Sequence, residues 1–259
     1  MNIDERQRDI VEFVREHKTA KVATLSKQFR VSAETIRKDL VELDDMGLLL
    51  RVHGGARLRQ TDRESAYSLR QSVHMEAKEA IAHAAVALVE DGSTIYLDYG
   101  TTTKCVVEAL VAEQRRVTVV TNSLPIADLV ASSETMEGVV LGGILRRNEG
   151  ALYGPIAEKT LEALHFDVGI FGCGGIEAGA EITNHFPLEV ALSQKAMGRS
   201  ARVVVVADSS KLDAIAVHRL ARFADVDVVI TSDEPDPELR LAIDEAGVSL
   251  EIVDPKPGL

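Results

Sequence analysis

Residues 93–103 read STIYLDYGTTT. An apolar run ends in an acid, and a glycine and three threonines follow. This is the composition of a buried strand that opens at its carboxyl end into a small polar loop and then a helix. The pattern recurs along the chain. Val/Ile-rich runs at 93–98, 117–121, 138–142, 168–172, 202–207, 226–231 and 249–253 alternate with helical stretches near 102–113, 124–132, 155–165, 188–200 and 236–246. Before the first strand, EAKEAIAHAAVALVE places Ile81, Ala84, Ala85 and Leu88 on one helical face. Continuous Val/Ile strands separated by helices predict a mostly parallel α/β sheet covered on both faces, over residues 76–259.

The totals support a sizeable core. Hydrophobic residues make up 46% of 259, but aromatics only 4% and Trp is absent, so Val, Ala, Leu and Ile must fill the interior. Cys105 and Cys173 lie far apart without CxxC spacing. That predicts no disulfide framework and no metal site, and it fits a reducing cytoplasm. The segment MNIDERQRDIVEF is charged from its fourth residue, and no apolar run reaches membrane-spanning length. A soluble cytoplasmic protein with no cofactor and no membrane partner is expected.

The net charge of −12 argues against nucleic acid until it is divided along the chain. Residues 1–60 hold 12 Lys+Arg and 10 Asp+Glu, whereas residues 61–259 hold 17 and 31. Arg51 to Arg59 contains three arginines, one histidine and no acid. A small, locally basic head precedes a large acidic body.

Within the head, Ile10, Phe13 and Val14 predict an amphipathic helix over 4–17, and Val22, Leu25 and Phe29 a second, shorter one. After the break Arg30-Val31-Ser32, Ser32 reads as an N-cap with Glu34 in the first turn. Ile36, Leu40 and Leu43 form the buried stripe of a third helix, which Gly47 would stop. Such spacing predicts a helix-turn-helix. Thr35, Arg37 and Lys38 then face outward at the end that meets base edges in the major groove. LLLRVHGGARLR reads as two short strands around His53, Gly54 and Gly55, a basic wing that would set Arg51, His53, Arg57 and Arg59 against double-stranded DNA. The winged head is assigned to 1–58 and a linker to 59–75.

In open α/β sheets ligands bind beyond the carboxyl ends of the strands. The segments found there are Asp98 with Gly100, Thr101, Thr102 and Thr103, then Asn122-Ser123, Gly142-Gly143, Gly172-Cys173-Gly174-Gly175, and Asp208-Ser209-Ser210-Lys211. Small polar loops let backbone N–H groups approach an anion, and Gly100–Thr103 also starts a helix. Thr101–Thr103 and Ser123 could donate to phosphate oxygens, Asn122, Asp98 or Asp208 could hold sugar hydroxyls, and Lys211 or Lys195 could pair with the charge. Each feature has a plainer explanation. A GTTT turn is often only a helix cap, Gly142-Gly143 only a turn, and Lys195 only a solvated side chain. Their convergence on one rim favours a small-molecule site.

VSAETIRKDLVELDDMGLLLRVHGGA resembles the N-terminal domain of the DeoR family of bacterial transcriptional regulators, in which a helix of the form SxxTIRRDL leads to Gly-Leu-Leu and RVHGGA. Lys21 stands where the family often has a capping Ser, so a weaker start is expected for the second helix. The body is similar to the family's sensor domain through LDYGTTT, TNSLPIA, LGGILRRNEGALYG, FDVGIFGCGG, EVALSQK and ADSSK. The resemblance implies a fold like ribose-5-phosphate isomerase, a phosphorylated-sugar effector and operator DNA as partner; a single head of this size buries too little surface for tight binding, so a homodimer or homotetramer is expected. Many members have Asp where Gly174 stands, which implies an altered contact there. The rival class is a sugar-phosphate isomerase-like enzyme. It needs a carboxylate base at the reacting carbon, and the GCGG loop supplies none. Glu189 and Lys195, six residues apart, do not stack on one helix face. A third class, a DNA-binding protein with a degenerate sensor, fits the intact loops poorly.

Overall fold

The computed structural model describes residues 5–17, 19–45, 49–52, 54–57, 67–179 and 181–255. The chain divides into two compact units, Met1–Val73 and His74–Leu259.

The first unit contains α1 (Glu5–His17), β1 (Thr19–Lys21), α2 (Val22–Phe29), α3 (Ala33–Asp45), β2 (Leu50–Val52), β3 (Gly55–Arg57) and α4 (Tyr67–Arg70). Ile10, Val14, Leu25, Ile36, Leu40 and Leu43 bury the predicted stripes in one core, which also takes Leu69 from α4. The α2–α3 turn is closed locally. Arg30 adopts the left-handed conformation at φ 53°. Ser26 Oγ donates to the Val31 carbonyl at 2.6 Å. Ser32 Oγ accepts the Thr35 N–H at 3.1 Å, the expected N-cap of α3. Lys21 precedes α2 without a side-chain cap bond, as lysine's lack of an acceptor requires. Arg6 forks onto buried Asp39 at 2.8 and 3.1 Å and ties α1 to α3.

The wing has one strand more than the sequence suggests. β1 adds to β3 in a sheet ordered β1-β3-β2, antiparallel throughout. Three residues are too few for an alternating signal. Gly47, His53, Arg59 and the rest of 58–66 lie outside the described residues.

The second unit contains α5 (Met75–Ala87), β4 (Thr94–Leu97), α6 (Thr101–Ala112), β5 (Thr118–Thr121), α7 (Leu124–Ala131), β6 (Glu137–Val140), β7 (Ile144–Arg146), β8 (Ala151–Tyr153) and α8 (Pro155–Leu161). It continues with β9 (Val168–Gly172), β10 (Gly175–Glu177), β11 (Glu181–Asn184), α9 (Pro187–Met197), β12 (Val203–Ala207), β13 (His218–Ala221), β14 (Val228–Thr231), α10 (Pro237–Glu245) and β15 (Ser249–Ile252). The seven predicted runs are the seven strands of one sheet, ordered β15-β14-β12-β9-β4-β5-β6 and parallel at every pairing. Side-chain alternation splits the apolar residues between two cores. Tyr96, Val120, Phe171 and Val205 point into one. Ile95, Leu97, Val119, Ile170 and Val204 point into the other.

Cover on both faces thins at the two edge strands, and none of the four β15 residues is buried. All four residues of the edge strand β6 are exposed, whereas the inner strands are almost wholly buried. Two smaller sheets were also not foreseen: the hairpin β7-β8 and the antiparallel set β10-β11-β13.

Gly55 packs against the backbone of β1, and a Cβ there would fall far inside contact distance of the Ala20 carbonyl oxygen. Backbone cannot swing aside as a side chain can. Gly55→Ala should therefore destabilise the wing by about 1–3 kcal/mol, measured by urea unfolding of the full chain with circular dichroism. Unchanged unfolding would show that β1 does not pair with β3 as described.

Candidate functional site

The strand order reverses beside β4. From β4 the chain steps outward through β5 to β6, then returns to the other flank and steps through β9, β12, β14 and β15. Such a reversal leaves a crevice at the carboxyl ends of the two strands that flank it, here β4 and β9. The registers Leu97↔Thr121, Leu97↔Ile170 and Val206↔Gly172 align these ends on one edge. The loops Asp98–Thr103, Thr121–Ser123, Gly172–Gly175 and Asp208–Lys211 all leave that edge. The first and third are adjacent: a Cβ on Gly172 would lie 3.8 Å from the Tyr99 carbonyl oxygen.

Gly100 begins α6 at φ 148°, a conformation open to glycine, and a Cβ there would press on Thr103 Oγ1 at 3.0 Å. Thr103 Oγ1 donates back to the Gly100 carbonyl at 3.2 Å. Thr101 and Thr102 are also buried, yet among the described residues neither hydroxyl makes a hydrogen bond. Lys211 is half-buried; its N–H donates to the Asp208 carbonyl at 2.9 Å, but its ammonium makes no hydrogen bond or ion pair among the described residues. Burial pushes the Cys173 thiol up to about 12, against the opposing pull of the Lys211 ammonium. A bridge between Leu212 and Ile176 of β10 sets the Lys211 segment beside the loop that follows β9. One helix N-terminus, two uncommitted hydroxyls and one uncommitted cation thus lie along a single rim, a set suited to an anion.

Other predicted residues turn inward. Asn122 Oδ1 accepts the Tyr99 N–H at 3.0 Å, and its Nδ2 donates to the Leu152 carbonyl at 3.3 Å. Ser123 Oγ caps α7 by accepting the Ile126 N–H at 3.4 Å. Asp98 is fully buried and accepts from Ser193 Oγ at 2.6 Å and from the Tyr99 N–H at 2.9 Å. Burial raises its pKa to about 7, and the hydrogen bonds from Ser193, the Tyr99 amide and Tyr96 oppose that rise without cancelling it. These three residues hold the loops in place.

Gly142 and Gly143 follow the edge strand and are exposed. Gly143, at φ 144°, lies against the Tyr153 carbonyl oxygen, where no larger residue fits. Lys195 pairs at the surface with Glu158 of α8 at 2.9 Å and with Glu162 at 3.8 Å.

Sequence reasoning passed over Arg146. Its guanidinium meets the fully buried Glu189 carboxylate at 2.5 Å and stacks over the Phe186 ring at 4.7 Å. Ser193 and Glu189 share α9, so the β7-β8 hairpin, α9 and the end of β4 form one connected set. Asn184 Nδ2 adds a bond to Tyr99 Oη at 3.2 Å. The arginine after LGG and the serine in EVALSQK were visible as motif letters, but their partners are tertiary. At Gly174, a Cβ would meet the His185 ring at 2.9 Å and Ala216 at 3.0 Å. His185 occupies the space a larger residue would need.

In the first unit, Arg37 and Lys38 are exposed on α3, with Arg37 3.2 Å from Glu34. Arg51 is exposed on β2, Arg57 is half-buried on β3, and Gly54 turns between them at φ 77°. Ser32 and Thr35 hydroxyls lie 2.8 Å apart at the α3 N-terminus.

A helix-turn-helix head joined to an α/β body with an anion-suited rim defines a DNA-binding regulator with a sensor domain. Residues 6–62 match the DeoR-like helix-turn-helix domain, and residues 73–233 match the DeoR C terminal sensor domain. The chain belongs to the DeoR family of transcriptional regulators. It is 35% identical to the HTH-type transcriptional regulator GlpR of Haloferax volcanii, over 95% of this chain and 96% of that one. It is 29% identical to the glycerol-3-phosphate regulon repressor of Escherichia coli, over 97% and 100%. The lactose phosphotransferase system repressor of Streptococcus mutans is 32% identical over 93% and 96%. Among solved structures, ribose 5 phosphate isomerase A from Neisseria gonorrhoeae aligns over 56% of this chain and 54% of that one, with 21% identity and a TM-score of 0.40.

Asp98 makes folding pH-dependent in a definite direction. Its pKa rises from 3.8 to about 7 on folding. Between those values the unfolded chain releases a proton that the folded chain keeps, so stability falls as pH rises from about 4 through 7. The change from this one group is on the order of 4 kcal/mol. Asp98→Asn should remove it. The stability of the variant relative to wild type, from urea unfolding, should climb between pH 4.5 and 8; a difference flat with pH would contradict the burial of Asp98.

Proposed function

We propose that the protein is a repressor of carbohydrate-metabolism genes, released from operator DNA when a phosphorylated sugar or a related metabolite binds the rim at the ends of β4 and β9. The observation that carries this reading is the half-buried Lys211 ammonium, on the same rim as the α6 N-terminus and the hydroxyls of Thr101 and Thr102, none of which has a side-chain partner among the described residues. A phosphate would supply the acceptors that this set lacks. The names of relatives add weight, since they include repressors of a glycerol-3-phosphate regulon and of a lactose phosphotransferase system.

Sensing is favoured over catalysis by the carboxylates near the rim. Asp98 is closed off by Ser193 and the Tyr99 amide, and Glu189 is held by Arg146. The loop Cys173-Gly174-Gly175 offers no base. On this reading the protein works in the cytoplasm, where operator DNA lies. A single helix-turn-helix module buries only about 600–1,000 Å² on DNA, so tight operator binding calls for paired heads on repeated half-sites. Arg37 and Lys38 then read the major groove, Thr35 and Ser32 fix the α3 N-terminus there, and Arg51, His53, Arg57, Gly54 and Gly55 form the wing contact.

Gel shifts with a panel of triose, pentose and hexose phosphates separate the two functions. Lys211→Ala and Thr102→Ala should bind operator as wild type does but need about tenfold or more sugar phosphate for release. Arg37→Ala should behave in the opposite way, losing about 1–3 kcal/mol of operator binding. Release of both rim variants at the wild-type concentration would place the effector elsewhere.

A further inference from the structure

Ser193 has one hydroxyl proton and two oxygens within reach of it. Its Oγ lies 2.6 Å from Asp98 Oδ2 and 3.0 Å from the Glu189 carbonyl, one turn earlier on α9. Asp98 and Ser193 are fully buried. With Asp98 ionised, Ser193 turns its proton to the carboxylate, and its oxygen then faces the Glu189 carbonyl with no proton between them. With Asp98 protonated, both contacts are satisfied in one direction: Asp98 Oδ2 donates to Ser193 Oγ, and Ser193 donates to the Glu189 carbonyl. The second carboxyl oxygen is already an acceptor. Oδ1 takes the Tyr99 N–H at 2.9 Å and faces Tyr96 Oη at 3.5 Å. One accepting and one donating oxygen is the pattern of a carboxylic acid. The surroundings favour this neutral form. Among the described residues no cation pairs with Asp98, and the Arg146 guanidinium is held by Glu189 at 2.5 Å. The titratable and charged groups around it are Tyr96 on β4, Glu189 on α9 with Arg146 of β7, and, across the β9 loop, Cys173 with Asp208 and Lys211 and His185 beside Gly174. Asn122, from the β5 loop, adds a neutral hydrogen bond. Burying a carboxylate without a counter-charge is costly, so the group keeps its proton toward neutrality, in agreement with its rise to about 7.

We propose that the Asp98–Ser193 pair makes the sensor respond to pH: an anion binds the rim with Asp98 protonated and donating to Ser193, and is released as Asp98 ionises. The proposal rests on the rim reading above and adds its regulation. Asp98 stands two residues before Gly100, which begins α6, so its charge would appear beside the helix N-terminus and the Thr101 and Thr102 hydroxyls. A neutral Asp98 leaves that end of the helix positive. An ionised Asp98 repels an incoming phosphate or sulfate, and at a buried position water and salt screen the repulsion weakly. Ionisation also turns the Ser193 proton away from the Glu189 carbonyl. Linkage fixes the sign. A bound anion disfavours the carboxylate, so binding takes up a proton, and affinity falls as pH rises through the titration of Asp98. Release from operator then needs more effector in alkaline than in mildly acidic solution.

The first measurement needs no ligand. Infrared spectra of the full chain should show a protonated-carboxyl C=O band at pH 6 that is lost by pH 8.5 and is missing from Asp98→Asn at both. The second is isothermal titration with inorganic sulfate, whose charge is constant over this range, alongside the sugar-phosphate panel. Wild type should lose about tenfold in sulfate affinity between pH 6 and 8.5. Asp98→Asn is neutral throughout and keeps a donor toward Ser193, so its profile should be flat. His185→Gln removes the imidazole beside Gly174 and should keep the wild-type slope, which holds the test open even if Asp98→Asn fails to fold. No carboxyl band at pH 6, a flat wild-type profile, a slope that persists in Asp98→Asn or a slope lost in His185→Gln would each overturn the proposal and leave the rim reading standing. Failure of sulfate and of every sugar phosphate to bind at any pH would overturn both.

Discussion

The sheet changes direction beside β4, and the rest of the body follows from that reversal. Strands on either side of the turning point carry their connections away from it, which leaves a crevice at the carboxyl ends of β4 and β9. The chain closes part of this gap from within. Asp98, at the end of β4, is buried against Ser193 of α9, and Tyr99 is held by Asn122 and Asn184. What stays uncommitted at the rim, among the described residues, is a helix N-terminus, two threonine hydroxyls and one lysine ammonium. A buried carboxylate near neutrality costs stability. It also fixes the loop that starts α6, which is the loop an anion would have to meet.

The same connected set runs outward. Glu189 and Ser193 lie one helical turn apart on α9. Glu189 faces Arg146 on β7, and Ser193 faces Asp98. A buried pair such as Arg146–Glu189 contributes little net stability by itself, but breaking one side strands a charge. The pair therefore sets the position of the hairpin. Any shift of α9 upon ligand binding would be felt at β7, so the strand-end rim and the β7-β8 hairpin are joined by named contacts.

The parallel sheet was legible because each inner strand is buried on both faces, which leaves uninterrupted Val/Ile runs. The helix-turn-helix was legible because helical stripes, Ser32 and the basic wing agree. The short antiparallel pieces were not. β1, β7, β8 and β10 have three residues each, too few to show a period, and Gly143 and Gly175 read as loop glycines open to an anion although both pack closely against backbone. For the site, position was legible and role was not. Asn122 and Ser123 stand after β5 as expected, yet their side chains satisfy neighbouring backbone. Lys195 looked available because Glu158 and Glu162, more than thirty residues earlier, meet it only in the fold. Arg146 was passed over because its partner, Glu189, lies forty-three residues away.

The central claim is that one chain joins operator binding to anion binding at the ends of β4 and β9. Coupling of this kind is reciprocal: if ligand weakens DNA binding by some factor, DNA weakens ligand binding by the same factor. Isothermal titration of the panel's tightest sugar phosphate into the free chain and into its operator complex measures the second factor; fluorescence anisotropy of labelled operator with and without saturating ligand measures the first. The account predicts two equal factors, both well above one, and both lost in Lys211→Ala. Sugar phosphates that bind free and operator-bound chain with the same affinity, or that bind neither, would contradict it.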